Sequence, residues 1–190
     1  MNIGTTLTVN SRKEWRAWLA KNHTTASDIW LVNFRKGTGK QLFTYNDAVE
    51  EALCYGWIDS IVKKRDAESW VQRYTPRNPK SELSEMNKER IRRLIASKKM
   101  RAAGLRAIAR HLSLFSRSSA PKRFIFPKDI LDEIRKNPVA WKHYRKFPLS
   151  YRRIRIGWID GARSRPDVFR QRLRFFIAKT ERNVRFGMVQ

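Results

Sequence analysis

The sequence predicts an α+β fold: a small three-stranded antiparallel sheet with packed helices in residues 1–115, then a basic helical unit over residues 128–190. Three observations carry this reading. Up to Thr75 the apolar pattern alternates between helical and strand periods, giving helix, strand, helix and hairpin, too few alternations for a doubly wound parallel sheet. From Ser84 onward the period is helical almost throughout. A chain of 190 residues with 41% hydrophobic side chains and seven tryptophans carries enough apolar surface to offset its chain entropy and build a core.

Ser11 followed by Glu14 is a capping pattern, each side chain suited to an orphan backbone N–H at a helix start. The helix it opens puts Trp15, Trp18 and Leu19 on one stripe and stops near Asn22. Residues Ile29 to Lys36 are rich in β-branched and aromatic side chains and predict a strand, closed by the turn Gly37-Thr38-Gly39-Lys40. Thr44 and Asp47 repeat the capping pattern before a helix whose Tyr45, Ala48, Val49 and Ala52 share a face. Trp57 to Arg65 and Ser69 to Thr75 form a hairpin around Asp66-Ala67-Glu68, ended by Pro76 and Pro79. Further on, Leu105, Ile108, Ala109, Leu112 and Phe115 make one helical stripe, and the polar, basic segment 116–123 reads as a linker. Asn137-Pro138, Ser150 and Ser164-Arg165-Pro166-Asp167 mark further helix starts, and Phe169, Leu173, Phe176 and Ile177 form the buried stripe of the last helix. The phrase Gly56-Trp57-Ile58-Asp59 recurs as Gly157-Trp158-Ile159-Asp160, but in a helical context with unrelated neighbours, which reads as coincidence rather than duplication.

Charge is unevenly spread. The net +25 divides into +5 for residues 1–80 and +20 for residues 81–190, so the second half is the electrostatic footprint. A field of that sign attracts nucleic acid, anionic lipid or acidic protein without choosing among them. A single cysteine, Cys54, excludes an internal disulfide framework, and its place in an apolar helix end reads as a buried thiol rather than a nucleophile. His23, His111 and His143 lie far apart without paired ligands, so no metal site is expected, and Gly37-Thr38-Gly39-Lys40 lacks the length of a phosphate-binding loop, so no cofactor is expected. The N-terminus has neither the basic start nor the apolar run of a secretory signal, and no stretch reaches membrane-spanning length; the expected location is the cytoplasm.

Two groups of residues are candidates for function. The first is a pocket around the hairpin: Trp57, Asp59, Lys63, Arg73, Thr75, Arg77, Ser84 and Asn87. There Asp59 is expected to meet Arg73 across the hairpin, and Arg73 with Arg77 to clamp a carboxylate or phosphate in bidentate fashion. The competing structural reading makes these groups a salt bridge docking the following helix, with Ser81 or Ser84 as its N-cap, and this reading is preferred. The second group is Arg152, Arg153, Arg170, Arg172 and Arg174, an anion-binding set among aromatics such as Trp141, Tyr144 and Phe176. Helical spacing assigns most of those aromatics to the core.

The phrases Glu50-Glu51-Ala52-Leu53-Cys54-Tyr55-Gly56-Trp57-Ile58-Asp59-Ser60 and Gln72-Arg73-Tyr74-Thr75-Pro76-Arg77, with Ser81, Ser84, Asn87 and Arg90 beyond, resemble the bacterial YdeI/OmpD-associated, bacteriocin-protection family. The resemblance runs from Glu14 to Leu105 and again from Trp141 to Met188, while the segment between about Leu112 and Lys128 does not carry it. Leu83 stands where the family tends to place an aromatic, and this chain is more basic than the family pattern. The resemblance implies a non-enzymatic accessory protein of stress or bacteriocin resistance. Joined to the charge asymmetry, it gives the expectation of an anionic partner, nucleic acid or anionic membrane surface, engaged by the C-terminal half. The alternative is a small enzyme with an anion-binding pocket at Trp57, Asp59 and Arg73.

Overall fold

The computed structural model describes residues 2–35, 38–40, 43–115 and 124–187. The linker expected at 116–123 and part of the turn at Gly37 lie outside the described residues. The chain divides into two compact units, one within residues 1–81 and 90–119, the other within 82–89 and 120–190.

The first unit is α+β, but its sheet has four strands, not three, and is mixed. In chain order it contains β1 (Thr6–Leu7), α1 (Arg12–Asn22), β2 (Ile29–Phe34), α2 (Tyr45–Cys54), β3 (Trp57–Lys64) and β4 (Ser69–Pro76), with strand order β1-β2-β4-β3. β2 and β4 are antiparallel, as are β3 and β4. β1 pairs parallel to β2, Thr6 opposite Trp30 and Leu7 opposite Leu31. Two residues are too few to display an alternating pattern, so only this backbone pairing defines the strand and makes the sheet mixed.

One sheet face carries Leu31 and Tyr74 and is met by the aromatic stripe of α1: Trp15 stacks on Trp18 at 5.5 Å and lies 5.2 Å from Tyr74. Trp15, Leu19, Ala48, Val49, Ala52, Leu53 and Trp57 are buried. α1 is tied to α2 by charge as well as packing. Arg12 bonds Asp47 at 2.5 Å, Glu51 at 2.6 Å and Glu50 at 3.2 Å, and Arg16 also bonds Glu51. The opposite sheet face buries Trp30, Val32 and Val71.

The long helical stretch expected after Ser84 is broken. α3 (Glu85–Ala96) ends where Lys98 takes a left-handed φ of 55° and Lys99 N–H returns to the Leu94 carbonyl at 2.9 Å, a C-terminal cap. α4 (Ala102–Ala107) and a 3-10 helix (Ala109–Phe115) follow, so the expected stripe splits, Ile108 being buried and Leu112 39% exposed. Ser84 Oγ accepts the Asn87 N–H at 3.2 Å, an N-cap bond at the start of α3.

The second unit adds α5 (Lys128–Arg135), α6 (Pro138–Lys146), α7 (Leu149–Asp160) and α8 (Pro166–Glu181). Asn137 caps α6 by accepting the Ala140 N–H, and proline opens both α6 and α8. Helix α7 begins at Leu149 behind Pro148, one residue before the expected start at Ser150. Ile130, Ile134, Tyr144, Tyr151, Ile156, Ile159 and Phe176 form its core.

Candidate functional site

The corner between α2 and β3 turns at Gly56, whose φ of 78° is costly for any side chain. A Cβ there would also lie 2.8 Å from the Ala107 Cβ, and one on Gly104 would lie 2.4 Å from the Cys54 carbonyl oxygen. Both glycines allow α4 to lie against the end of α2. Cys54 in that seam is fully buried, and burial, reinforced by nearby Glu51, pushes its thiol up to about 11, so it is a poor nucleophile.

Trp57 leaves the corner into the core. It has no exposed surface, meets Trp18 edge-on at 5.7 Å and donates its indole N–H to the His23 carbonyl at 3.1 Å. From Trp57 onward the strand alternation sorts the remaining residues. Asp59 pairs with Tyr74 and Ile58 with Thr75, which puts Asp59 and Tyr74 on one face and Thr75 and Arg73 on the other. A bulge after Asp59 then brings Lys63 opposite Val71, on the Arg73 face.

The expected contact between Asp59 and Arg73 is therefore corrected. Arg73 Nε bonds Asp28 Oδ2 at 2.7 Å, while Asp59 Oδ2 accepts the Tyr45 hydroxyl at 2.5 Å. Neighbours in β4 project to opposite faces, and Asp59 is in register with Tyr74, so the sheet itself separates the two charges. Lys63 lies 6.0 Å from the Trp30 ring, Arg77 is buried and donates to the Ser81 carbonyl at 2.7 Å, and Ser84 caps α3. Ser84 and Asn87 belong to the second unit, the other six residues of the expected pocket to the first.

What the first unit does gather is a polar cluster around Asp59: Tyr45, Tyr74, Asn46 and Arg90. Arg90 Nε donates to Asn46 Oδ1 at 3.0 Å, and Arg90 is 5% exposed. Burial, with the Asp59 charge beside them, raises both the Tyr45 and Tyr74 phenols, and burial lowers the Arg90 guanidinium. Of these residues, the signal for Tyr74 lay in its alternation with Arg73, but only the pairing register shows that it is Tyr74 that faces Asp59. Arg90 reaches the cluster from a separate helix, a position that no local spacing encodes. Elsewhere, a cleft of about 500 Å3 opens beside the β3–β4 turn, with Thr8, Phe34 and Arg65 among its walls, and Lys40 pairs there with Glu68 at 2.6 Å. Among the described residues no group of three His, Cys, Asp or Glu side chains is placed to hold a metal, and no helix is long and apolar enough to cross a membrane.

The second unit sorts its expected arginines by use. Arg153 is engaged by Glu85 at 3.1 Å and Glu89 at 2.9 Å. Arg152 lies over the Tyr144 ring, Arg170 pairs with Asp167, and Arg172 donates to the Trp158 carbonyl at 2.6 Å and stacks on its indole at 4.6 Å. Of the five, Arg174 alone is exposed with no ion pair or hydrogen bond among the described residues. It has company outside that set of five: Lys142, Arg145 and Lys146 on α6, from the mixed cationic and aromatic stretch Trp141 to Phe147, and Arg182 after α8, are exposed and unpaired in the same sense. The spacing 142, 145, 146 puts three of these cations on one face of α6, a signal that was present in the sequence. α6 and α8 are adjacent, joined by His143 Nδ1 against the Thr180 carbonyl at 3.0 Å and Tyr144 against Phe176 at 6.2 Å. The aromatics behave as their spacing implied: Tyr144, Phe147 and Phe176 are buried, whereas Phe175 stays 45% exposed beside Arg174.

Comparison with known proteins yields two family matches. Residues 7–107 match the model of the Domain of unknown function (DUF8412), and residues 123–183 match that of the family described as Bacteriocin-protection, YdeI or OmpD-Associated. The gap at 108–122 overlaps the stretch from about Leu112 to Lys128 that the sequence resemblance did not cover. The residues from Glu14 to Leu105, on which the resemblance was also read, fall in the DUF8412 match, so the YdeI or OmpD-associated family is supported over residues 123–183 alone. No curated protein and no solved structure matches the chain.

Proposed function

We propose that this chain, which belongs to the DUF8412 family through residues 7–107 and carries a YdeI or OmpD-associated domain over residues 123–183, is a cytoplasmic accessory protein of bacteriocin protection. It acts by binding single-stranded nucleic acid through the exposed basic faces of α6 and α8. The observation that carries this reading is the set Lys142, Arg145, Lys146, Arg174 and Arg182, cations facing solvent without a carboxylate partner among the described residues. Such groups exchange condensed counterions for phosphates and give affinity without sequence preference. The exposed Phe175 ring beside Arg174 adds a surface on which a base can stack. A membrane surface is the poorer fit. The apolar stripe of α8, Leu173 and Phe176, is spent in the core, leaving little to insert below lipid headgroups.

The test is anisotropy with labelled single-stranded oligonucleotides across a salt series. Five phosphate contacts predict that log K falls with log salt at a slope of about −3 to −4. Joint reversal of Lys142→Glu, Arg145→Glu and Arg174→Glu should weaken binding by about tenfold or more without favouring any sequence. Undetectable binding at low salt, or equal binding by the triple variant, overturns the reading. Binding to anionic vesicles but not to oligonucleotides replaces nucleic acid with membrane as the partner.

A further inference from the structure

Helix α7 holds a second cationic feature that is buried rather than exposed. Arg155 is 6% exposed, yet among the described residues its Nε and Nη2 hydrogens meet no acceptor. Its guanidinium is flanked by the Tyr151 ring at 5.5 Å and the Phe186 ring at 4.6 Å. Burial lowers its proton affinity, opposed by Tyr151 alone and by no carboxylate among the described residues. A buried charge without a counter-charge is costly, and ring contacts offset only part of that cost.

The two orphan nitrogens are not an arbitrary pair. Nε–H and the adjacent Nη2–H point the same way along one edge of the planar guanidinium, the edge that grips two oxygens of a carboxylate or phosphate at once. Among the described residues that entire edge is unused. Tyr151, whose ring the guanidinium overlies, accepts the Phe186 backbone N–H on its Oη at 3.1 Å, which leaves the phenol hydrogen able to donate as well. Gly187 lies so close that a Cβ on it would stand 2.3 Å from Nη2, and its φ is 71°. The exposed stretch after α8 thus lies over the guanidinium as a strap, held by the Phe186 bond and by Val184 N–H to the Lys179 carbonyl at 2.9 Å.

We propose that Arg155, with the Tyr151 hydroxyl, is a binding site for a small oxyanion, a phosphate or carboxylate group taken two oxygens at a time, beneath a strap formed by Phe186 and Gly187. This site uses α7 and a buried group rather than the exposed cations of α6 and α8, and it adjoins the nucleic-acid surface where Phe186 packs on Phe175 at 4.9 Å. Entry requires the strap to lift, and the bound oxyanion supplies the counter-charge that the fold does not.

The test follows the Arg155 Nε–H resonance of the 15N-labelled full chain, assigned by its loss in Arg155→Lys. Inorganic phosphate and acetate are titrated separately against sodium chloride at matched ionic strength. A saturable shift with phosphate, acetate or both, and none with chloride, is expected, and the responding anion identifies the source. Because lysine lacks the two-donor edge, Arg155→Lys should lose the accompanying shift of the Trp158 indole N–H, whose ring lies 5.9 Å from Phe186. The triple charge-reversal variant of α6 and α8 should keep the phosphate or acetate response while losing the oligonucleotide, so the two proposals fail separately. A non-saturating response, or one equalled by chloride, overturns the site. Should Arg155→Lys not fold, Gly187→Ala, which crowds Nη2, assigns the resonance by shifting it, and the titration of the parent protein decides.

Discussion

At the scale of single residues, Arg73 shows how far local pattern reaches. Its type and its alternation with Tyr74 are plain in the sequence, and both say that it projects from the sheet face opposite Tyr74. What it bonds depends on which residue of β3 stands beside Tyr74, a register set by the hairpin and its bulge, and on where Asp28 lies just before β2. Neither is a local property. Arg73 and Asp28 are 22% and 29% exposed, so their coupling should be modest. A double-mutant cycle on Arg73→Ala and Asp28→Ala is expected to give about 0.5–1 kcal/mol, whereas Arg73→Ala with Asp59→Ala should be additive to within about 0.5 kcal/mol. Coupling of the second pair that exceeds the first would contradict the register. Trp57 was legible in the other direction. A tryptophan between a helix and a strand fills volume, and the structure gives it a buried ring with one satisfied indole hydrogen.

Elements were legible where a residue type announces a backbone requirement. Thr44 and Asp47 form the reciprocal box that their spacing predicts, the Thr44 side chain accepting from the Asp47 N–H at 3.2 Å and the Asp47 carboxylate from the Thr44 N–H at 2.9 Å. The Ser11 box is only half-formed, because Glu14 reaches the Asn10 N–H instead of that of Ser11. β1 was invisible because a two-residue strand has no period, and the break after α3 because its left-handed residue is Lys98 rather than glycine. The Thr44 box also steers Asp47 toward Arg12, so it serves packing as well as the helix end. Replacing Thr44→Ala should cost about 1 kcal/mol in urea unfolding, and Thr44→Ser should recover most of it. Equal stability of the alanine variant and the parent would show that α2 is held by its buried face alone.

For the whole molecule, charge decides what composition alone leaves open. With 42 basic and 17 acidic side chains, most long-range pairs are like-charged, and compact folding brings them closer. Salt should therefore act in opposite senses on stability and on binding. The internal ion pairs of Arg12, Arg16 and Arg153 are partly shielded from solvent, so screening weakens them less than it relieves the exposed cations of α6 and α8. Raising sodium chloride from about 50 to 300 mM, which shortens the screening length below about 10 Å, should stabilise the fold. A gain of about 1 kcal/mol corresponds to roughly 2–4 °C in thermal unfolding for a chain of this length. Over the same range oligonucleotide affinity should collapse, because each bound phosphate must displace counterions that salt holds in place. The triple reversal on α6 and α8 lowers the net charge, so its unfolding temperature should respond less to salt than that of the parent. A parent protein that loses stability with salt while the variant gains it would mean that internal ion pairs outweigh the repulsion. The basic surface would then be part of the architecture rather than a face kept for a polyanion.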